Sequence, residues 1–84
     1  MKTIDLYGAE WCPDCRRAKA YLDSENVSYN YIDISKDETA AVKVQEINNG
    51  KRIIPTIIID GTPHTNPNNR MLELALGLKK KVTT

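Results

Sequence analysis

Eighty-four residues, 40% hydrophobic and 27% charged, specify one small domain, residues 1–84, built around a single core. A formal net charge of +1, from 12 Lys+Arg against 11 Asp+Glu, argues against the clustered basic excess of a nucleic-acid surface. The longest strongly apolar run, 57–59, is far too short to span a bilayer, and residues 1–7 lack the apolar stretch of a signal peptide, so a cytoplasmic monomer is expected.

Residues 3–7 alternate in polarity and read as a first strand, ended by Gly8. A helix is expected over about 13–25, with Pro13 at its first position and Cys15, Ala18 and Leu22 recurring at i, i+3 and i+7. Asn26 suits a left-handed stop. Residues 27–34, rich in Tyr, Val and Ile, read as a second strand. Ser35 and Glu38 fit a capping box that opens a second helix, with Ala40, Val44 and Ile47 inward and Asn48-Asn49-Gly50 at its end. Residues 55–59 form a β-branched strand, Asp60-Gly61 is a hairpin turn, and residues 62–65 return along an edge, because Pro63 cannot donate to a ladder. Asn66-Pro67 is expected to cap a third helix whose inner side carries Met71, Leu74, Ala75 and Leu78. The tail from about residue 79 reads as frayed. The order βαβαββα implies an α/β fold, a four-stranded mixed sheet with three helices, its first βαβ unit parallel.

Cysteine usage sets the chemistry. The two cysteines, Cys12 and Cys15, lie where the first strand turns into the first helix. A structural zinc site needs four ligands, and His64 is the single histidine, so a metal role is not expected. A bridge closing so small a loop adds little chain stability, so the pair is read as redox-active. The helix N-terminus favours an anion on Cys12 by about 0.3–1 kcal/mol, which makes it the expected nucleophile. Cys15, on the apolar side of the helix, is expected to be the more buried of the two and to resolve a mixed disulfide on Cys12. Trp11 reads equally as packing or as docking surface, and Arg16 and Arg17 as solvated helix surface.

Trp11-Cys12-Pro13-Asp14-Cys15 after a first strand, with Ile54-Pro55 opening a later one, resembles the glutaredoxin family of the thioredoxin fold, from Thr3 to about Leu78. The resemblance implies a dithiol–disulfide oxidoreductase that reduces protein disulfides or mixed disulfides with a low-molecular-weight thiol. It also implies that Pro55 is cis and lies against the cysteines, leaving the backbone of Ile54 to pair with substrate. Several positions depart from the glutathione-using pattern. Ala9 stands where a Lys is common, Thr65-Asn66 replaces Gly-Gly, and Asn68-Asn69 replaces Asp-Asp, while Arg52 matches a position that can hold a thiol's carboxylate. Thr65-Asn66-Pro67, with the Asn49-Gly50 loop, is similar to the mycoredoxin branch, whose thiol, mycothiol, lacks the free γ-glutamyl ammonium. Asp14 replaces an aromatic and, by opposing negative charge on Cys12, implies a more reducing couple.

The resemblance implies no tightly bound cofactor; glutathione or a mycothiol-like thiol is a cosubstrate, and a small thiol or flavoprotein reductase supplies electrons. Two alternatives remain open at this point. One is a dedicated electron donor to a single reductase such as ribonucleotide reductase. The other is an iron–sulfur carrier in which two chains share a cluster through Cys12.

Overall fold

The computed structural model describes residues 3–77. The elements run β1 (Ile4–Gly8), α1 (Pro13–Ser24), β2 (Asn30–Asp33), α2 (Glu38–Ile47), β3 (Thr56–Ile59), β4 (Thr62–Thr65) and α3 (Asn69–Leu76). The strands form one mixed sheet in the order β2-β1-β3-β4. β1 and β2 are parallel, as the βαβ reading requires, and the β1–β3 and β3–β4 pairs are antiparallel. Asp60 and Gly61, at φ 50° and 86°, make the hairpin turn between β3 and β4. Pro63 sits on an outer strand, where its missing N–H costs no ladder bond.

Alternation along the strands divides the core into two layers. Ile4, Leu6, Ile57 and Ile59 pack with Ala18 and Leu22 of α1 and with Leu72 and Leu76 of α3. Tyr7 and Ile34 pack with Ala40, Ala41 and Val44 of α2, supported by Ile32, Ile54 and Ile58. Helices therefore cover both faces of the sheet, with α1 and α3 on one side and α2 on the other.

Four local expectations change. β2 begins at Asn30, because the Val27 N–H turns back to the carbonyl of Leu22 (3.0 Å) and pairing with β1 starts at Asp5–Asn30. The cap of α2 is Asp37, whose carboxylate accepts the Ala40 N–H at 3.1 Å. Ser35 instead donates its hydroxyl to Asp33, so the capping box does not form. Asp33 also accepts the Ser35 N–H, and these bonds, together with the charge of Lys36, hold its carboxyl below the usual range.

The third helix starts later and faces differently from the expectation. Asn68, rather than Asn66-Pro67, is its cap, accepting the Met71 N–H at 2.8 Å. Leu72 and Leu76 point inward, whereas Met71 and Leu74 are exposed. The assignments of Leu78 and of a frayed tail lie outside the described residues. Among the described residues, no helix is long and apolar enough to cross a membrane.

Candidate functional site

The first strand ends under the start of α1, and glycine is what permits the approach. A Cβ at Gly8 would stand 2.8 Å from the sulfur of Cys15 and 3.1 Å from its Cβ. Cys12 follows as the N-cap of α1, in extended conformation, and Pro13 occupies the first helical turn, where no N–H is missed. In this place the Cys12 sulfur does what a Ser or Asp side chain does in most caps: it accepts the Cys15 N–H, at 3.2 Å. Its own N–H donates to the carbonyl of Ala9 (3.2 Å), which closes the turn that delivers it.

Both cysteines are unbridged in this structure and buried, Cys12 at 6% exposure and Cys15 at 0%. The order is the expected one, with only a narrow margin. Ala9, Cys12 and Cys15 form one small cluster, against which Ile54 packs. The Cys15 thiol is pushed up to about 12, first by burial and then by its bond and proximity to Cys12 and by the charge of Asp14, against a lowering contact with the Ala9 backbone. Cys15 thus keeps its proton at neutral pH.

Ile54–Pro55 is a cis peptide, and the Pro55 ring is fully buried. The Pro55 carbonyl accepts the N–H of Asn66 at 2.7 Å, so the turn before α3 joins the proline loop directly. Asn66 itself is left-handed, φ 45°, a conformation asparagine tolerates better than most residues. Ile54 makes no backbone hydrogen bond among the described residues.

The remaining candidate residues divide. Trp11 is 69% exposed, which removes packing as its reason, and Pro13 and Asp14 are exposed beside it. Arg52 is committed to α2: its guanidinium meets Glu38 at 2.8 Å and Gln45. Thr65 donates its hydroxyl inward to the Asn48 carboxamide at 2.5 Å. Arg17 is not solvated helix surface. It is half-buried and bonds the Pro67 carbonyl (3.1 Å) and Asn69 Oδ1 (2.8 Å), tying α1 to the start of α3. Asn68 and Asn69 are thus spent on a cap and on Arg17, and Asn66 is the amide of this stretch without such a tie. His64 pairs opposite Ile57 in the edge ladder, and the described residues contain no group of three or more metal-ligating side chains.

Asn48 was legible only as a helix stop. It is buried, and it bonds the Val44 carbonyl, Thr56 and Thr65. No local signal in the sequence announces partners 8 and 17 residues away.

A family model described as glutaredoxin matches residues 4–64. Mycoredoxin 1 of Corynebacterium glutamicum is 41% identical over 68 residues, 80% of this chain and 84% of that protein. Glutaredoxin 3 of Escherichia coli is 39% identical over 61 residues, 71% of each chain. Among solved structures, a glutaredoxin from Archaeoglobus fulgidus superposes with a TM-score of 0.78 at 25% identity, over 90% of this chain and 87% of its own. With the two cysteines at the strand-to-helix corner and the sheet of that fold beneath them, the chain belongs to the glutaredoxin family, whose members are thiol–disulfide oxidoreductases, and is similar to its mycoredoxin branch.

Proposed function

We propose that the protein is a dithiol reductase of protein disulfides and of mixed disulfides with a small thiol, with Cys12 as nucleophile and Cys15 as resolving thiol. The observation that carries this reading is the placement of the Cys12 sulfur at the α1 N-cap, where it accepts the Cys15 N–H. An N–H and the positive end of a helix face that sulfur, and both stabilise negative charge on it. The thiolate of Cys12 attacks one sulfur of the substrate disulfide and releases the other as a thiolate. Cys15 then attacks the Cys12 sulfur, giving up its proton, and the substrate leaves as a second thiol while the pair becomes a disulfide. Two electrons pass from the dithiol to the substrate, and two thiol equivalents from a small thiol, or one turnover of a flavoprotein reductase, restore it.

The substrate would lie along Ile54, whose unpaired backbone can accept it as a short added strand, with Pro55 beneath and Trp11 at the rim. Asn66 offers an amide rather than a carboxylate to the thiol's non-reacting end, which suits the polyhydroxyl and acylated chemistry of mycothiol better than an ammonium. Arg52 would have to give up Glu38 to reach a carboxylate, so Ile54 and Asn66 carry the binding in this reading. The expected setting is the cytosol, where small thiols keep such a couple reduced.

Turnover of a mixed disulfide fed separately by glutathione, by mycothiol and by a thioredoxin-type reductase tests this. Faster turnover with mycothiol, total loss in Cys12→Ser, and alkylation by brief iodoacetamide at Cys12 ahead of Cys15 are expected. Preferential labelling of Cys15 would reverse the two roles, and indifference to every thiol would leave the flavoprotein route.

A further inference from the structure

A ring of hydrogen bonds closes behind the proposed binding edge, and one side chain joins its two halves. The Asn48 carboxamide, buried at the C-terminal end of α2, donates from Nδ2 to the Val44 carbonyl (2.9 Å) and to Thr56 Oγ1 (3.1 Å). Its Oδ1 accepts the Thr65 hydroxyl at 2.5 Å. The orientation is dictated by chemistry, since a carbonyl can only accept and therefore the amide nitrogen must face Val44. The Thr56 hydroxyl in turn donates to the carbonyl of Ile53 at 2.7 Å. On the other side, Asn66 N–H reaches the Pro55 carbonyl at 2.7 Å. The circuit thus runs from Ile53 through Thr56, Asn48 and Thr65 to Asn66 and back to Pro55, enclosing Ile54.

We propose that Asn48 is a positioning residue for substrate recognition: its carboxamide fixes the Ile54–Pro55 loop and the Thr65–Asn66 turn against each other, and so sets how tightly a disulfide partner is held beside Cys12. This rests on the reading that Ile54 and Asn66 line the bound substrate. It also gives Thr65 a different part from the one its sequence position suggested. The hydroxyl is turned to Asn48, so Thr65 acts as a strut under Asn66 and its oxygen is not offered to the ligand. No other described side chain bonds both segments, and the cysteines take no part in the circuit. Loss of Asn48 should therefore loosen binding and leave the chemical step nearly intact.

Steady-state kinetics on the full chain separate these effects, with Asn48→Leu, Thr65→Val, Thr65→Ser and the double variant Asn48→Leu/Thr65→Val. Two disulfides serve as probes, a mixed disulfide of 2-mercaptoethanol with glutathione or mycothiol, and insulin. Loss of one or two such bonds predicts a KM raised about fivefold to tenfold in Asn48→Leu, with kcat within about twofold. Thr65→Val should show a smaller rise, Thr65→Ser should restore KM by returning the hydroxyl, and the double variant should be no worse than Asn48→Leu, because both remove the same circuit. Unchanged KM, a fall in kcat alone, or additive losses in the double variant would overturn the proposal. Should Asn48→Leu fail to fold, the Thr65→Val and Thr65→Ser pair, at an exposed position, decides alone. If the wild-type chain turns over insulin only, the small-thiol reading fails while Asn48 is still judged on insulin.

Discussion

The corner that carries the two cysteines and the edge that runs from Thr65 to Asn69 are built by different means. The corner is made of backbone and close packing: Gly8 under Cys15, Ala9 and Ile54 around both thiols, and one N–H on Cys12. The edge is largely exposed and is held by side chains from elsewhere, Asn48 on the α2 side and Arg17 on the α1 side. Steric fit is unforgiving and changes by kilocalories when a methyl group is added. Single hydrogen bonds change by about 1 kcal/mol and can be exchanged one at a time. In the proposed function, electron transfer is therefore tied to the part of the molecule that tolerates little substitution, and recognition to the part that tolerates more.

The largest test of this contrast is alkaline pH. Burial raises Cys15 from an ordinary 9.0 to about 12, and Tyr29 and Tyr31 from 10.0 to about 12, each with burial as the leading cause. Folded values above unfolded ones mean that the native state holds these protons more tightly. Their contribution is complete below pH 9 and is lost as pH climbs towards 12. Urea midpoints of the reduced protein should fall across that window, and those of the disulfide form, which has no Cys15 proton to lose, should fall less. Parallel losses in the two forms would show that the corner is not the seat of the effect.

Gly8→Ala comes next. The added methyl must displace Cys15 or β1, at a cost of about 1–3 kcal/mol in unfolding free energy, with slower closure of the disulfide. Normal stability with normal closure would mean that the corner gives more easily than its contacts indicate. Arg17→Met then probes the edge. It should cost about 1 kcal/mol and speed hydrogen exchange in the first turn of α3, while the amides of β1 and β3 keep their protection. Equal loosening of the sheet would merge the two regions into one.

Asp14→Tyr is the smallest. Asp14 is exposed and 4.0 Å from Arg17, so its field at the sulfurs is screened. Removing its charge should make the couple about 10 mV more oxidising at low salt, and the difference should vanish in 1 M salt. A redox titration that finds no shift at either ionic strength would reduce Asp14 to a surface residue.

The same division explains what could be read in advance. The placement of the two cysteines at the start of α1, the order of elements, the Asp60-Gly61 turn and the outer position of Pro63 are local properties, written in neighbouring residues. The cap of α2 was not, because Ser35 and Asp37 compete for it and Asp33 removes Ser35 from the contest. Leucines at 72, 74, 76 and 78 alternate without a helical period, so the inner face of α3 is decided by the sheet it meets rather than by its own sequence. Arg17 and Asn48 lay beyond reach for a related reason. Their partners are many residues away, and nothing short of the fold brings them together.

The sulfur at the start of α1 has one more consequence. While Cys12 is reduced, its sulfur accepts one N–H of the helix's first turn, that of Cys15. Once bonded to another sulfur it is a poorer acceptor, and that turn loses part of its fastening. A thermodynamic cycle connects folding with oxidation, so whatever free energy the reduced fold gains over the oxidised one must appear in the electrode potential, about 30 mV for each 1.4 kcal/mol. Calorimetry on the two forms would therefore measure voltage with heat.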